Sequence, residues 1–160
     1  MELTREEEGM LSGDQGTVVE RMFRLLVRLG EIYGAKRMVP VGSVQVSQNP
    51  ATCTATVTLK TTYPWCITEA HLATGDTLGD IPQTRKGNPI PGQFADSAYP
   101  ACEGEVVFEN VTGGSLFAVH AVVYNTVNGT DETAWGAGTA FPGKNWATYV
   151  ALPGGCQSDR

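Results

Sequence analysis

The sequence predicts a mainly β protein, an antiparallel β-sandwich of six or seven strands preceded by a short N-terminal helical segment. Nineteen glycines and nine prolines, most of them beyond residue 40, fit short strands joined by turns. Apolar residues follow a helical period before residue 39 and a strand period after residue 41. We therefore expect a helical segment over residues 1–38, a β-sandwich domain over residues 41–152 and a tail over residues 153–160.

The first 38 residues carry two helix signals. Thr4 and Glu7 have the spacing of a capping box, in which each side chain bonds the backbone of the other residue. A longer helix of about 17 residues is predicted over Val18–Tyr33, because apolar residues recur there at three- and four-residue steps. Those residues are Val18, Met22, Leu25, Leu26, Leu29, Ile32 and Tyr33.

Strand patterns fill the rest of the chain. Cys53–Lys60 alternates apolar and polar residues, and Trp65–Ala73 begins the next strand after Pro64. Val106–Val111 and Leu116–Tyr124 flank a glycine turn, and the second is apolar on both faces, as expected of a central strand. A last strand is predicted over Trp146–Leu152.

Residues 74–103 are rich in glycine and proline and predict a long ordered loop between strands. Long ordered loops in compact domains are often functional. We therefore expect any binding surface to lie in this loop or in the turns of residues 128–146.

The N-terminal segment also resembles a known family. Residues 1–46 are similar to the extreme N-terminus of the aconitase X large subunit. The similarity lies in two stretches of sequence, MELTREEEGMLSG and VVERMFRLLVRLGEIYGAKRMVPVGSVQVS. Aconitase X proteins are iron–sulfur dehydratases whose catalytic region follows this segment. Nothing after Val46 matches that region, so the resemblance assigns no catalytic residue to this chain.

Residues 41–152 resemble a β-sandwich domain of secreted prokaryotic proteins of unassigned function. This resemblance rests on four sequence motifs, WCITEAHL, IPQT, GNPIPGQF and NWATY. The resemblance implies an extracellular or cell-surface domain and lends no activity. Since the N-terminal segment is of a cytosolic type, the two resemblances leave the compartment open and suggest a fusion.

Four cysteines are scattered along the chain, at Cys53, Cys66, Cys102 and Cys156. No two of them form the close pair typical of zinc or redox motifs. An even, scattered set predicts disulfides, with free buried thiols as the alternative. Four cysteines allow three pairings, and the sequence does not choose among them.

A metal site is one interpretation of the histidines. Glu69 and His71 are two apart on a strand and share a face, and His120 lies on the central strand. Together they could hold a structural zinc ion, or a nearby carboxylate could complete a calcium site. The nearby carboxylates are Asp76, Asp80 and Glu132. The preferred interpretation is that both histidines are buried and hydrogen-bonded, and we expect no other cofactor.

Catalysis has weaker sequence support. No serine lies in a Gly-x-Ser-x-Gly elbow, and neither histidine has an obvious orienting partner. Ligand binding is assigned instead to Trp135, Asn88 and Gln93, because a tryptophan beside Gly136 can be exposed and stack on a ring. Trp65 and Trp146 are expected in the core.

These observations favour a non-enzymatic, extracellular-type module for binding or assembly, whose partner is a glycan, a surface, a protein or a second copy. A net charge of -6 argues against nucleic acid. No apolar run is long enough for a transmembrane helix. The alternative is a fragment or subunit of an aconitase X-like iron–sulfur dehydratase, a lyase.

Overall fold

The computed structural model of the chain describes residues 2–3, 18–32 and 35–152. Within these residues the fold is mainly β and antiparallel, as predicted. The strands are β1 (Glu2–Leu3), β2 (Val19–Ile32), β3 (Ala35–Asn49), β4 (Thr54–Thr61), β5 (Trp65–Gly75), β6 (Asp96–Ala98), β7 (Glu105–Thr112), β8 (Leu116–Asn125), β9 (Asp131–Gly136), β10 (Thr139–Ala140) and β11 (Thr148–Ala151). Two short 3-10 helices, Leu78–Asp80 and Pro91–Gln93, lie between β5 and β6.

The strands form one strongly curled sheet. Its order is β10-β11-β8-β9-β2-β3-β4-β7. Strand β5 pairs with the edge of β8 that β9 and β11 leave free, and β6 pairs with β5. The two ends of the sheet approach each other where Ile67 and Glu103 exchange backbone hydrogen bonds of 2.7 and 3.0 Å. The sheet is therefore nearly closed, and its inward-facing side chains meet in a shared core.

The core follows the alternation that the sequence predicts. Ala55, Val57 and Leu59 of β4 are buried, whereas the residues between them are partly exposed. Strand β8 pairs with β5, β9 and β11 and is buried on both faces, which confirms that it is central. Burial on both faces explains why this strand is a continuous apolar run.

The helix predicted over Val18–Tyr33 is wrong, because Val19–Ile32 form strand β2. This strand pairs with nearly the whole of β3 and, over Leu25–Val27, with β9. The same residues also carry a period of two, and its inward members Phe23, Leu25 and Val27 are fully buried. Pairing on two edges and burial against the sheet outweigh helix propensity, which is a weak preference. The helix predicted after Thr4 lies outside the described residues.

The predicted boundary near residues 39–42 falls inside strand β3. There Leu25 pairs with Gly42 and Leu26 with Pro40, so Val41 is an extra, fully buried residue. Gly42 is required at this irregularity, because a Cβ atom would lie 1.8 Å from the carbonyl oxygen of Lys60. The division into residues 1–38, 41–152 and 153–160 stays a prediction, and the tail lies outside the described residues.

The long segment between β5 and β7 covers the outer face of the sheet. It builds a second apolar cluster with residues from β5, β8, β9 and the chain around β10 and β11. The buried members are Ala73, Ile81, Phe94, Ala118, Trp135, Phe141 and Ala147. The predicted loop is therefore ordered by packing against the sheet.

Across residues 2–3, 18–32 and 35–152, no helix has the length and apolar character needed to span a membrane.

Candidate functional site

A row of four side chains crosses the outer face of the sheet. In the strand register Ser97 of β6 lies opposite His71 of β5, His71 opposite His120 of β8, and His120 opposite Trp135 of β9. Their sequence neighbours Ala70, Ala121 and Ala134 face the main core, so the row faces the other way. We call these four residues the outer-face row.

His71 is held by hydrogen bonds on both ring nitrogens. Its Nδ1 lies 2.8 Å from the Ser97 hydroxyl oxygen, and its Nε2 lies 2.6 Å from a carboxylate oxygen of Glu69. The imidazole is only 2% exposed, whereas the Glu69 side chain is 38% exposed and Ser97 lies at the surface. The expectation that neither histidine has an orienting partner is wrong for His71, because Glu69 and Ser97 bond its two ring nitrogens.

His120 is buried at 8% exposure between two rings. Its ring centroid lies 5.7 Å from that of His71 and 4.7 Å from that of Trp135. Its Nδ1 atom has no hydrogen-bond partner. Burial, and secondly the neighbouring His71, lower the pKa of His120 from 6.5 to about 4, although Glu69 opposes the shift. His120 is therefore neutral near pH 7.

The predicted metal ligands Glu69, His71 and His120 are neighbours in the structure. In the described part of the chain, however, no group of three or more histidine, cysteine, aspartate or glutamate side chains is arranged to hold a metal ion. His71 Nε2 is already bonded to Glu69. The zinc site stays a prediction of the sequence.

The predicted calcium ligands Asp76, Asp80 and Glu132 lie on different elements of the fold. The Asp80 carboxylate accepts hydrogen bonds from the backbone amides of Asp76 and Thr77 and so caps the first 3-10 helix. Glu132 lies on β9, opposite Val123. A calcium site likewise stays a prediction.

The expectation that Trp135 is exposed is wrong, because its side chain is only 5% exposed and packs in the second apolar cluster. Trp135 nevertheless borders an apolar cavity of about 220 Å³ on the outer face. The lining residues are Leu26, Met38, Trp135, Ala137, Gly138, Trp146 and Thr148. None of them is charged, and the Thr148 hydroxyl donates a 2.6 Å hydrogen bond to the Gly136 carbonyl. Met38 is 41% exposed, so the cavity has an apolar residue at the surface. The cavity can accept a small neutral ring.

The other predicted ligand-binding residues do not line this cavity. Asn88 accepts a 3.1 Å hydrogen bond from the Asn145 amide, which ties the segment between β5 and β6 to the chain before β11. Gln93 is exposed in the second 3-10 helix. Their role in binding stays a prediction.

Cys66 and Cys102 form a disulfide, with Cα atoms 5.0 Å apart and a sequence separation of 36. Cys53 is also disulfide-bonded, and Cys156 lies outside the described residues. No cysteine in the described ranges is free. Iron–sulfur clusters are held chiefly by cysteine thiolates, so the described residues do not fit such a cluster.

Three residues of these sites, Ser97, Leu26 and Met38, are not predicted as site residues from the sequence. Ser97 falls in the predicted loop, because the three-residue strand β6 has no recognisable period of its own. Leu26 and Met38 fall in the predicted helical segment. A strand interpretation of the Phe23–Leu29 alternation would have placed Leu26 on the outer face.

Comparisons with known proteins concern the N-terminal part of the chain. Residues 1–75 match the model of the aconitase X first domain. Over 47 residues the chain is 51% identical to the phosphomevalonate dehydratase large subunit of Methanocaldococcus jannaschii and 47% identical to that of Thermococcus kodakarensis. Each alignment covers 29% of this chain and 12% of the relative.

No solved structure matches the chain. Because each alignment covers 12% of the relative, the chain spans about an eighth of the length of the curated relatives that it matches. The family match ends at residue 75 and so includes only the first part of residues 41–152. None of the comparisons supports the resemblance of residues 41–152 to a secreted β-sandwich family, which stays a prediction. The N-terminal segment of this chain is similar to the first domain of aconitase X.

Proposed function

We propose that the chain is a fragment or subunit of an aconitase X-like dehydratase that contributes the N-terminal part of the large subunit. The observation that carries this proposal is the 51% identity over 47 residues to a phosphomevalonate dehydratase large subunit. Since no described cysteine is free, the iron–sulfur cluster belongs to another part of the enzyme. Its chemistry, when bound there, is removal of water from the substrate.

A chimera tests whether the segment has kept its role. The N-terminal 47 residues of the Methanocaldococcus jannaschii large subunit are replaced by residues 1–47 of this chain, and dehydration of phosphomevalonate is measured with the complete enzyme. The proposal expects an active chimera. The control carries the same 47 residues in permuted order and should be inactive. Equal activity, or equal inactivity, of the two chimeras contradicts the proposal.

The cluster assignment is tested separately on this chain alone. After anaerobic incubation with iron and sulfide, the purified protein should stay colourless, and its described cysteines should not react with thiol reagents before reduction. A brown protein with visible absorbance would place the cluster in this chain and refute the assignment.

A second proposed function rests on the cavity beside Trp135 and Trp146. Two tryptophan rings around a neutral cavity of about 220 Å³ suit one sugar ring of a glycan, which stacks its C–H face on an indole. The exposed Met38 gives the ring an apolar edge at the entrance. Glycan binding would make the β-rich body a binding module, with or without the dehydratase connection.

Tryptophan fluorescence during titration with a panel of neutral oligosaccharides tests this second function. We expect saturable quenching that weakens at least about tenfold in Trp146→Ala, because stacking area is lost. The control is Tyr63→Ala, which removes an exposed aromatic side chain that does not line the cavity. Quenching by no member of the panel, or equal quenching in Trp146→Ala, contradicts it.

A further inference from the structure

We propose that Ser97, His71 and Glu69 form a nucleophilic serine site that hydrolyses small activated esters. The proposal rests on the contacts of the outer-face row. It stands independently of the dehydratase and glycan proposals.

The three side chains form a row of hydrogen bonds, in which the His71 imidazole lies between the Ser97 hydroxyl and the Glu69 carboxylate. The Ser97 hydroxyl oxygen lies 2.8 Å from His71 Nδ1, and Glu69 lies 2.6 Å from Nε2 on the opposite side of the ring. A nucleophile within hydrogen-bond reach of a base that a third group orients is the recurring arrangement of covalent catalysis. Here three residues from two neighbouring strands supply it.

Glu69 determines which nitrogen of His71 acts as the base. A carboxylate only accepts hydrogen bonds, so Nε2 carries the ring proton and its N–H donates a hydrogen bond to Glu69. In a neutral imidazole the other nitrogen, Nδ1, is then unprotonated and accepts the Ser97 hydroxyl proton. Glu69 is thus a positioning residue, and His71 is the general base.

The surroundings hold the base and leave the nucleophile accessible. His71 is buried against the rings of Tyr99 and His120, whose centroids each lie 5.7 Å away. Ser97 is exposed on β6, so a substrate can reach its oxygen.

The reaction follows from these positions. The Ser97 oxygen attacks the acyl carbon while its proton moves to His71 Nδ1, and the alcohol leaves with that proton, which gives an acyl-serine. Water then attacks the acyl carbon, gives a proton to Nδ1, and Ser97 leaves with that proton as the free hydroxyl. The products are an alcohol and a carboxylic acid. Because Ser97 lies at the surface, we expect short-chain or aryl esters.

A fluorophosphonate probe tests the nucleophile directly. The full-length protein is incubated with the probe, and the modified peptide is mapped by mass spectrometry. We expect one phosphonyl group on Ser97, formed with loss of fluoride, and turnover of p-nitrophenyl acetate. Ser97→Ala should abolish both, and the control Ser47→Ala, on β3, should change neither. Failure to label Ser97, or unchanged hydrolysis in Ser97→Ala, overturns the proposal.

Variants of the other two residues test their roles. Labelling of Ser97 should slow by about 100-fold or more in His71→Gln. The native protein should be labelled without added imidazole, because His71 supplies the base. Glu69→Gln should slow labelling at an unchanged melting temperature, and Glu69→Asp should restore part of the rate, which a merely structural role would not produce. Full labelling rates in Glu69→Gln would remove Glu69 from the site.

A metal-dependent hydrolase is the competing outcome. If EDTA abolishes ester hydrolysis and Ser97→Ala does not, hydrolysis depends on a metal ion and not on Ser97, and the serine proposal is overturned. Labelling and hydrolysis that persist in EDTA support the serine site.

Discussion

Gln48 is the buried polar residue whose replacement should be most informative about the fold. Its side chain is fully buried on β3 and reaches the turn between β7 and β8. Its Nε2 donates to the Gly114 carbonyl at 3.0 Å, and its Oε1 accepts from the Gly114 amide at 2.8 Å. The side chain thus supplies both hydrogen bonds of one backbone unit in the turn.

Gln48→Met keeps the length of the side chain and removes both hydrogen bonds. It leaves the amide and the carbonyl of Gly114 without their partner, and an unsatisfied buried group costs about 1–3 kcal/mol. Because two groups lose their partner, we expect the free energy of unfolding to fall by about 2–6 kcal/mol. For a protein of this size that lowers the melting temperature by roughly 4–24 °C.

Urea unfolding, followed by far-ultraviolet circular dichroism, measures the loss. The matched control is Gln45→Met on the same strand, whose side chain points to the opposite face and is only half-buried. The control should change the unfolding free energy by less than about 1 kcal/mol. If Gln48→Met is no more destabilising than Gln45→Met, these two hydrogen bonds do not hold the turn and the reasoning is refuted.

Two further predictions concern the disulfide and the buried histidine. Replacing both Cys66 and Cys102 by serine should lower the free energy of unfolding by about 4 kcal/mol, because the bridge closes a loop of 36 residues, and equal stability of native and variant in urea would contradict this. The lowered pKa of His120 means that the unfolded chain binds a proton that the folded chain excludes between about pH 4 and 6.5. Stability should therefore be fully present above pH 6.5 and fall by roughly 3 kcal/mol towards pH 4. His120→Phe should lose that part of the pH dependence in urea unfolding at a series of pH values, and an unchanged dependence would show that other groups cause it.

Local patterns were sufficient where one periodicity dominates. The alternation of Cys53–Lys60 and the apolar run of Leu116–Tyr124 correspond to β4 and β8, with the predicted burial. The segment Val18–Tyr33 carries both a helical and a strand period. Sequence alone could not decide between them, because the deciding energy comes from pairing with β3 and β9, far from any local preference.

The candidate site shows the same division. The spacing of Glu69 and His71 put both on one face of a strand, and the structure has them in contact. Ser97 is 26 positions away from His71 and became its partner only through the pairing of β5 with β6. No local pattern encodes that register, since β6 has three residues and lies within a segment rich in turns.

By itself, the sequence determined that this chain is mainly β, that its central strand is Leu116–Tyr124, and that its first part is similar to aconitase X. Those properties follow from composition, periodicity and motif, which are local. The tertiary structure alone decided that Val19–Ile32 is a strand, that Cys66 bonds Cys102, and that Ser97 meets His71. Each of these depends on contacts between distant residues, and such contacts form only when the sheet curls and brings its strands together.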